Sequence, residues 1–197
     1  MYREAEILNQ HIQDYDFTRE DFSYAEFTNS DFVNCDFSRA ELLGATFTDC
    51  SFIHCKLSAL ITGTSFEKCE FDDCDFGDAY IFRSQFKSCT ILDSSMGECL
   101  LSTADFTGST LNNVDWRGAP INSPPIIIDG IEYPIVALDN GHMHVGCEYN
   151  TYEWFYNTDE KHSARMEGLR ARRFWKRNKQ WIFDMLKARK LYDYTSG

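Results

Sequence analysis

Along the first half of the chain, large apolar residues recur every five positions: Phe17, Phe22, Phe27, Phe32, Phe37, Leu42, Phe47, Phe52 and Leu57. Neither the 3.6-residue turn of a helix nor the two-residue alternation of a strand produces that interval. An irregular step follows from Ser58 to Ser65, where Ile61 is the candidate centre of a shortened repeat, either a tight corner or a projecting loop. The series then resumes at Phe66, Phe71, Phe76, Ile81, Phe86, Ile91, Met96, Leu101, Phe106, Leu111 and Trp116. Two residues before these centres stand small side chains, among them Ala25, Ser30, Cys35, Ala40, Cys50, Thr64, Ala79, Ser84 and Ala104. Large and small positions fixed at a constant period predict a repeat architecture that buries one continuous core.

The small position also explains the cysteines. Of the eight, all but Cys147 occupy it, at Cys35, Cys50, Cys55, Cys69, Cys74, Cys89 and Cys99, interchangeably with alanine and serine. Their shared property is volume, which predicts buried thiols used for packing and a reduced, cytoplasmic protein.

Cys35-Asp36-Phe37, Cys74-Asp75-Phe76 and Ala104-Asp105-Phe106 each give a small residue, an acid and an aromatic centre, followed by two variable positions. In this respect residues 15–119 resemble the pentapeptide-repeat family. Ala5-Glu6-Ile7 points to an earlier start and leaves residues 1–14 as an N-terminal cap or first repeats. The resemblance implies an all-β solenoid: a right-handed quadrilateral β-helix, four pentapeptides per coil, with the centre and the small residue inward. The residue types support it, since a five-residue side needs one large inward group and something small near each corner. Phe66, Phe86 and Phe106, twenty residues apart, would then form one column. A solenoid filled in this way offers no concave polar pocket, so neither an enzymatic role nor a cofactor is expected, and function should lie on the outside.

Charge gives that outside its character. The 197 residues (22.9 kDa, 43% apolar) carry 31 acids against 19 bases, a net of −12. That argues against direct nucleic-acid binding by the repeat or binding to an anionic membrane, and for a basic partner. No apolar run approaches the ~18 residues of a membrane span, and the polar start MYREAEILNQHIQDYD lacks a signal-peptide stretch. Residues 1–119 hold 21 acids and 8 bases, net −13; residues 120–197 hold 10 and 11, net +1. The outward candidates are Asp16, Asp21, Glu26, Asp31, Asp36 and Glu41, then Glu67, Glu70, Asp72, Asp73, Asp75 and Asp78, continued by Asp93 and Glu98. Stacking at twenty-residue intervals would set Asp73 beside Asp93 and Asp78 beside Glu98, a repulsion of about 1 kcal/mol per pair in water. Glu67 stacked with Lys87 would instead be a favourable pair. Acids before the centres have a structural alternative, since aspartate often serves turns.

Five to six coils at ~4.8 Å span about 27 Å, over which B-DNA carries roughly 16 charges. One branch of the resembled family protects gyrase against quinolones and is similar to duplex DNA in shape and charge. This chain departs from that branch, which dimerises through a short C-terminal helix, by carrying residues 120–197. The expectation is an acidic DNA mimic occupying the DNA-binding surface of a basic protein, whether gyrase-like, a nuclease or a defence factor. The alternative is an adaptor whose solenoid is a rigid spacer presenting the tail.

The repeat ends at Trp116-Arg117-Gly118-Ala119-Pro120, and residues 120–197 read as a C-terminal α+β cap of hairpins and helices. Asp129-Gly130 and Asn140-Gly141 are hairpin signals, and Thr151 is a helix N-cap. A long amphipathic helix is expected over about Asp159 to Lys190, with Phe174, Trp175, Trp181, Ile182, Met185 and Leu186 as its apolar stripe. The stretch HMHVGC with the later Glu-Trp-Phe and Phe-Trp-Lys resembles tails of phage-encoded pentapeptide-repeat proteins. Arg170, Arg172, Arg173, Trp175, Lys176 and Arg177 are candidate contacts for phosphate or another protein's acids, or a solvated face. A homo-oligomer through this region is a further expectation. His142, His144 and Cys147 carry metal-binding atoms, but strand alternation accounts for them and no metal site is assigned.

Overall fold

The computed structural model describes residues 2–97, 99–128, 130–146, 148–158 and 169–193. It contains two compact units, Met1–Pro124 and Pro125–Gly197. The first is a quadrilateral β-solenoid. Its strands are three residues long, a centre and its two neighbours, and they pair in parallel with the coil above and below: Glu6 with Glu26, Phe27 with Phe47, Ile81 with Leu101. The repeat begins at the N-terminus, since Glu6–Leu8 and His11–Gln13 already pair with the next coil.

Among the described residues most sides end at a residue turned into the left-handed region. Asn9, Asp14, Asn29, Asn34, Asp49, Asp73, Asp93 and Asn113 hold φ between 46° and 55° there, a conformation that short polar side chains tolerate best. At Gly44 (φ +64°) a Cβ would lie 2.8 Å from the Tyr24 ring, so a side chain at that corner would have to displace the ring.

Inside, the centres stack into columns. Phe27, Phe47, Phe66, Phe86 and Phe106 follow one another at centroid distances of 4.5, 5.0, 4.9 and 4.9 Å with nearly parallel rings. Phe32, Phe52 and Phe71 form a second column at 4.9 and 4.9 Å. Adjacent columns meet edge to face, as in Phe66–Phe71 at 5.3 Å and 77°. These are the two favourable arrangements of aromatic quadrupoles. The step at Ile61 is a tight corner: Ile61 lies in the strand Leu60–Thr62, fully buried, between Leu42 and Ile81. The register across it drops from twenty to nineteen residues, Phe47 pairing with Phe66 and Phe52 with Phe71.

The small position does more than fill space. Thr64 Oγ1, Ser84 Oγ and Ser109 Oγ donate to the carbonyls of Leu42, Ile61 and Phe86 in the preceding coil at 2.6, 2.8 and 2.6 Å. The Cys69 and Cys74 thiols reach the carbonyls of Phe47 and Phe52, both at 3.3 Å. Volume alone, the property read from the sequence, is therefore an incomplete account: the slot also accepts a donor for a backbone carbonyl of the coil before. Cys35, Cys50, Cys55, Cys69, Cys74, Cys89 and Cys99 are all free and buried. The neighbouring thiols Cys50 and Cys89, with burial, push Cys69 well above the ordinary thiol range. At Cys55 the pull of Cys35 is outweighed by Cys74 and burial, which raise it to about 12.

The second unit is an antiparallel meander, Ile126–Ile128, Ile135–Ala137, His142–Val145 and Glu148–Thr151 in spatial order, with helices α1 (Tyr152–Asn157) and α2 (Leu169–Ala188). Ile135, Met143 and Val145 share a core with Phe155, Phe174, Trp175, Ile182, Phe183 and Leu186. Thr151 caps α1 by accepting from Trp154 N at 3.0 Å. Asn140-Gly141 forms a hairpin closed by Leu138 N–H on His142 O. At the other expected hairpin Ile128 pairs with Ile135, so residues 129–134 intervene and no two-residue turn forms; Asp129 itself lies outside the described residues. The long helix is described from Leu169, and residues 159–168 lie outside the described residues. Trp181 is not in the buried stripe: it is 37% exposed and donates to Asn178 Oδ1, while Ala171 and Phe183 complete the stripe instead.

Two outcomes follow from the core. Phe66→Ala removes a ring stacked on both sides and should cost about 3–5 kcal/mol in urea unfolding; a loss below about 1 kcal/mol would mean that the column does not bear on stability. In a Cys147→Ser background the seven buried thiols should stay inert to a thiol-reactive disulfide at about pH 8 and react after denaturation. Prompt reaction in the native state would contradict their burial.

Candidate protein-binding surface

The acids of the solenoid fall into three groups according to what the fold asks of them. Asp16, Asp21, Asp36, Asp75 and Asp105, each directly before a centre, accept the backbone N–H two residues on, from Thr18, Ser23, Ser38, Gly77 and Thr107, at 2.8–2.9 Å. These are turn-closing bonds and fix the corner geometry. The hydrogen bonds from Thr18, Ser23 and Thr107 hold Asp16, Asp21 and Asp105 below the ordinary carboxylate value. At Asp36 partial burial acts upward, but Ser38 and Lys56, at 3.2 Å, outweigh it and lower the value.

A second group is matched across coils. Asp31 accepts from Ser51 Oγ at 2.6 Å and lies 3.7 Å from His11. Asp14 accepts from Asn34 at 2.6 Å, Asp73 lies 2.9 Å from His54 Nδ1, and Asp93 accepts from Asn113 at 2.7 Å. All six stand on one corner of the solenoid. The expected Asp73–Asp93 repulsion is thereby moderated, because each carboxylate has a donor on its far side. Glu98, the other half of the expected Asp78–Glu98 pair, lies outside the described residues.

The third group points outward with no ion pair or side-chain hydrogen bond among the described residues: Glu6, Glu26, Glu41, Glu70, Asp72 and Asp78. Glu70 and Asp72 flank Phe71 in one strand. Glu6 and Glu26 are strand partners, two like charges about 4.8 Å apart that the fold leaves uncompensated. Glu6 was absent from the acids expected outside, although Ala5-Glu6-Ile7 is in phase with Ala25-Glu26-Phe27.

In the second unit Arg170, Arg172, Arg173, Lys176 and Arg177 are exposed on α2. Trp175, expected among the surface contacts, is instead 4% exposed, packed on Phe155, with Nε1 donating to Thr158 O. Spacing decides this: Trp175 follows Ala171 by four residues and belongs to the buried stripe. The rings of His142 and His144 lie against Tyr149 at 5.2 and 4.7 Å, and Cys147 lies outside the described residues. No helix among the described residues is long and apolar enough to cross a membrane.

Residues 16–56 match the family described as "Pentapeptide repeats (9 copies)". No curated protein matches the chain. Among solved structures, QnrB1, described as a plasmid-mediated fluoroquinolone resistance protein, is 20% identical over 59% of this chain and 67% of its own, with a TM-score of 0.37. The pentapeptide repeat protein Rfr23 from the cyanobacterium Cyanothece 51142 is 12% identical over 57% of this chain and 88% of its own, with a TM-score of 0.41.

The turn-closing aspartates predict an acid limb. Their folded-state values lie below the ordinary 3.8, so the stability they add is fully present above that value and is lost as pH falls through the lower, folded one. Asp105→Asn should be less stable than the parent at neutral pH and equal to it near about pH 2, read from urea midpoints. A difference that persists undiminished in acid would show that the carboxylate charge is not what closes the turn.

Proposed function

We propose that the solenoid is a non-enzymatic protein-binding module, an acidic DNA mimic that occupies the DNA-binding surface of a basic protein in the cytoplasm. The carrying observation is the set of outward carboxylates, Glu6, Glu26, Glu41, Glu70, Asp72 and Asp78, that the fold itself leaves unmatched. Lys56 on Asp36 indicates that this surface can supply a cation to its acids, so the unmatched ones are free for a partner. The rest of the geometry agrees. Residues 1–124 hold 21 acids and 8 bases, arranged along columns at the ~4.8 Å strand spacing on a solenoid whose inside is filled by aromatic rings. A phage-encoded inhibitor of a host gyrase-like enzyme, nuclease or defence factor would have this character.

The test is affinity capture from a bacterial lysate at low salt, followed by elution with duplex DNA. The parent should release a DNA-binding protein on addition of DNA, and Glu70→Lys with Asp72→Lys should reduce its capture at least about tenfold, because contacts of this kind are electrostatic. Capture that ignores both DNA and the charge reversal would favour the adaptor reading, in which the second unit makes the contact.

A further inference from the structure

The cationic face of α2 has no part in the function proposed above. Arg170, Arg173 and Arg177 recur at helical spacing on one face, and with Glu132, Leu169 and Phe174 they line a cleft of about 540 Å³. Arg170 already holds a carboxylate there, Glu132, at 2.6 Å. Arg173 and Arg177 are exposed and form no ion pair among the described residues. The cleft thus presents two further guanidinium groups beside an apolar floor, a setting suited to carboxylates held by paired N–H donors.

We propose that this face docks the acidic solenoid of a second copy of the chain, Arg173 and Arg177 of one copy taking Glu6 and Glu26 of the other. Spacing and charge both support the pairing. Arg173 and Arg177 stand one helical turn apart, an advance of about 6 Å along the axis. Glu6 and Glu26 are register partners in adjacent strands, about 4.8 Å apart. The difference is within the reach of long, flexible side chains. For a molecule of net −12, whose negative charge lies in residues 1–124, a cationic helix face is where a second copy's solenoid can approach with attraction. The contact joins unlike surfaces, so it can close into a ring or continue into a chain of copies. Exposed ion pairs are weak, and the association belongs at high protein concentration and low salt.

Sedimentation equilibrium of the full chain at about 20 mM and about 500 mM salt tests this, the Debye length falling from about 20 Å to about 4 Å. The parent, at about 0.5 mM protein, should exceed the monomer mass at low salt and return to it at high salt. Arg173→Glu with Arg177→Glu, and separately Glu6→Arg with Glu26→Arg, should each be monomeric alone and associate when mixed in equal amounts. Circular dichroism checks that each variant folds. A parent that stays monomeric at low salt, variants that still associate alone, or a mixture that fails to associate would each overturn the proposal. Arg173→Glu with Arg177→Glu should leave capture of a DNA-binding partner unchanged, which separates this contact from that of the proposed function, with which it shares Glu6 and Glu26.

Discussion

The whole first unit depends on one constraint: parallel strands stack about 4.8 Å apart, and each side of each coil must fill that interval with one inward side chain. A phenyl ring lying flat over its neighbour meets the constraint closely, which is why centroid distances along the Phe27 column stay between 4.5 and 5.0 Å. The same interval fixes the outside. Once the columns are in register, every residue before or after a centre is carried into an outward column of its own, whatever its charge.

That outward surface is divided between acids with a structural task and acids without one. Aspartates directly before centres on three sides close turns, and a corner column gives each of its acids an amide or imidazole partner. What remains is a smaller set of carboxylates without a structural task. The distinction matters more than the total charge, because a turn-closing aspartate cannot be removed without loosening the coil, whereas Glu70 or Asp72 can be reversed while the core stays intact. The proposed recognition is thereby separable from folding, as is expected of a solenoid whose coils are stabilised by their neighbours.

The period of five made the fold of the repeat legible, because every centre named from Phe17 to Trp116 is buried where the spacing put it. Ile61 was legible as a shortened repeat, but its tight corner needed the register of Phe47 with Phe66 to be seen. The role of the acids was less so. Asp16 and Glu26 both precede a phenylalanine, yet one closes a turn and the other faces outward, and the side of the coil does not decide it, since Asp105 stands in the column of Glu26 and closes a turn. In the second unit Thr151 and Asn140-Gly141 carried local signals strong enough to read. Trp175 and Trp181 did not: Trp175 follows Ala171 by four residues and is core, whereas Trp181 follows Phe174 by seven, a spacing that suits the stripe, and lies at its edge, 37% exposed.

The central claim, that unmatched outward carboxylates form the binding surface, is tested most directly by the salt dependence of affinity for a captured partner. Log affinity should fall steeply and linearly with log salt between about 50 and 200 mM, and the slope should flatten when Glu70 and Asp72 are reversed. An affinity that barely changes over this range, with the same slope in the reversed protein, would contradict the account.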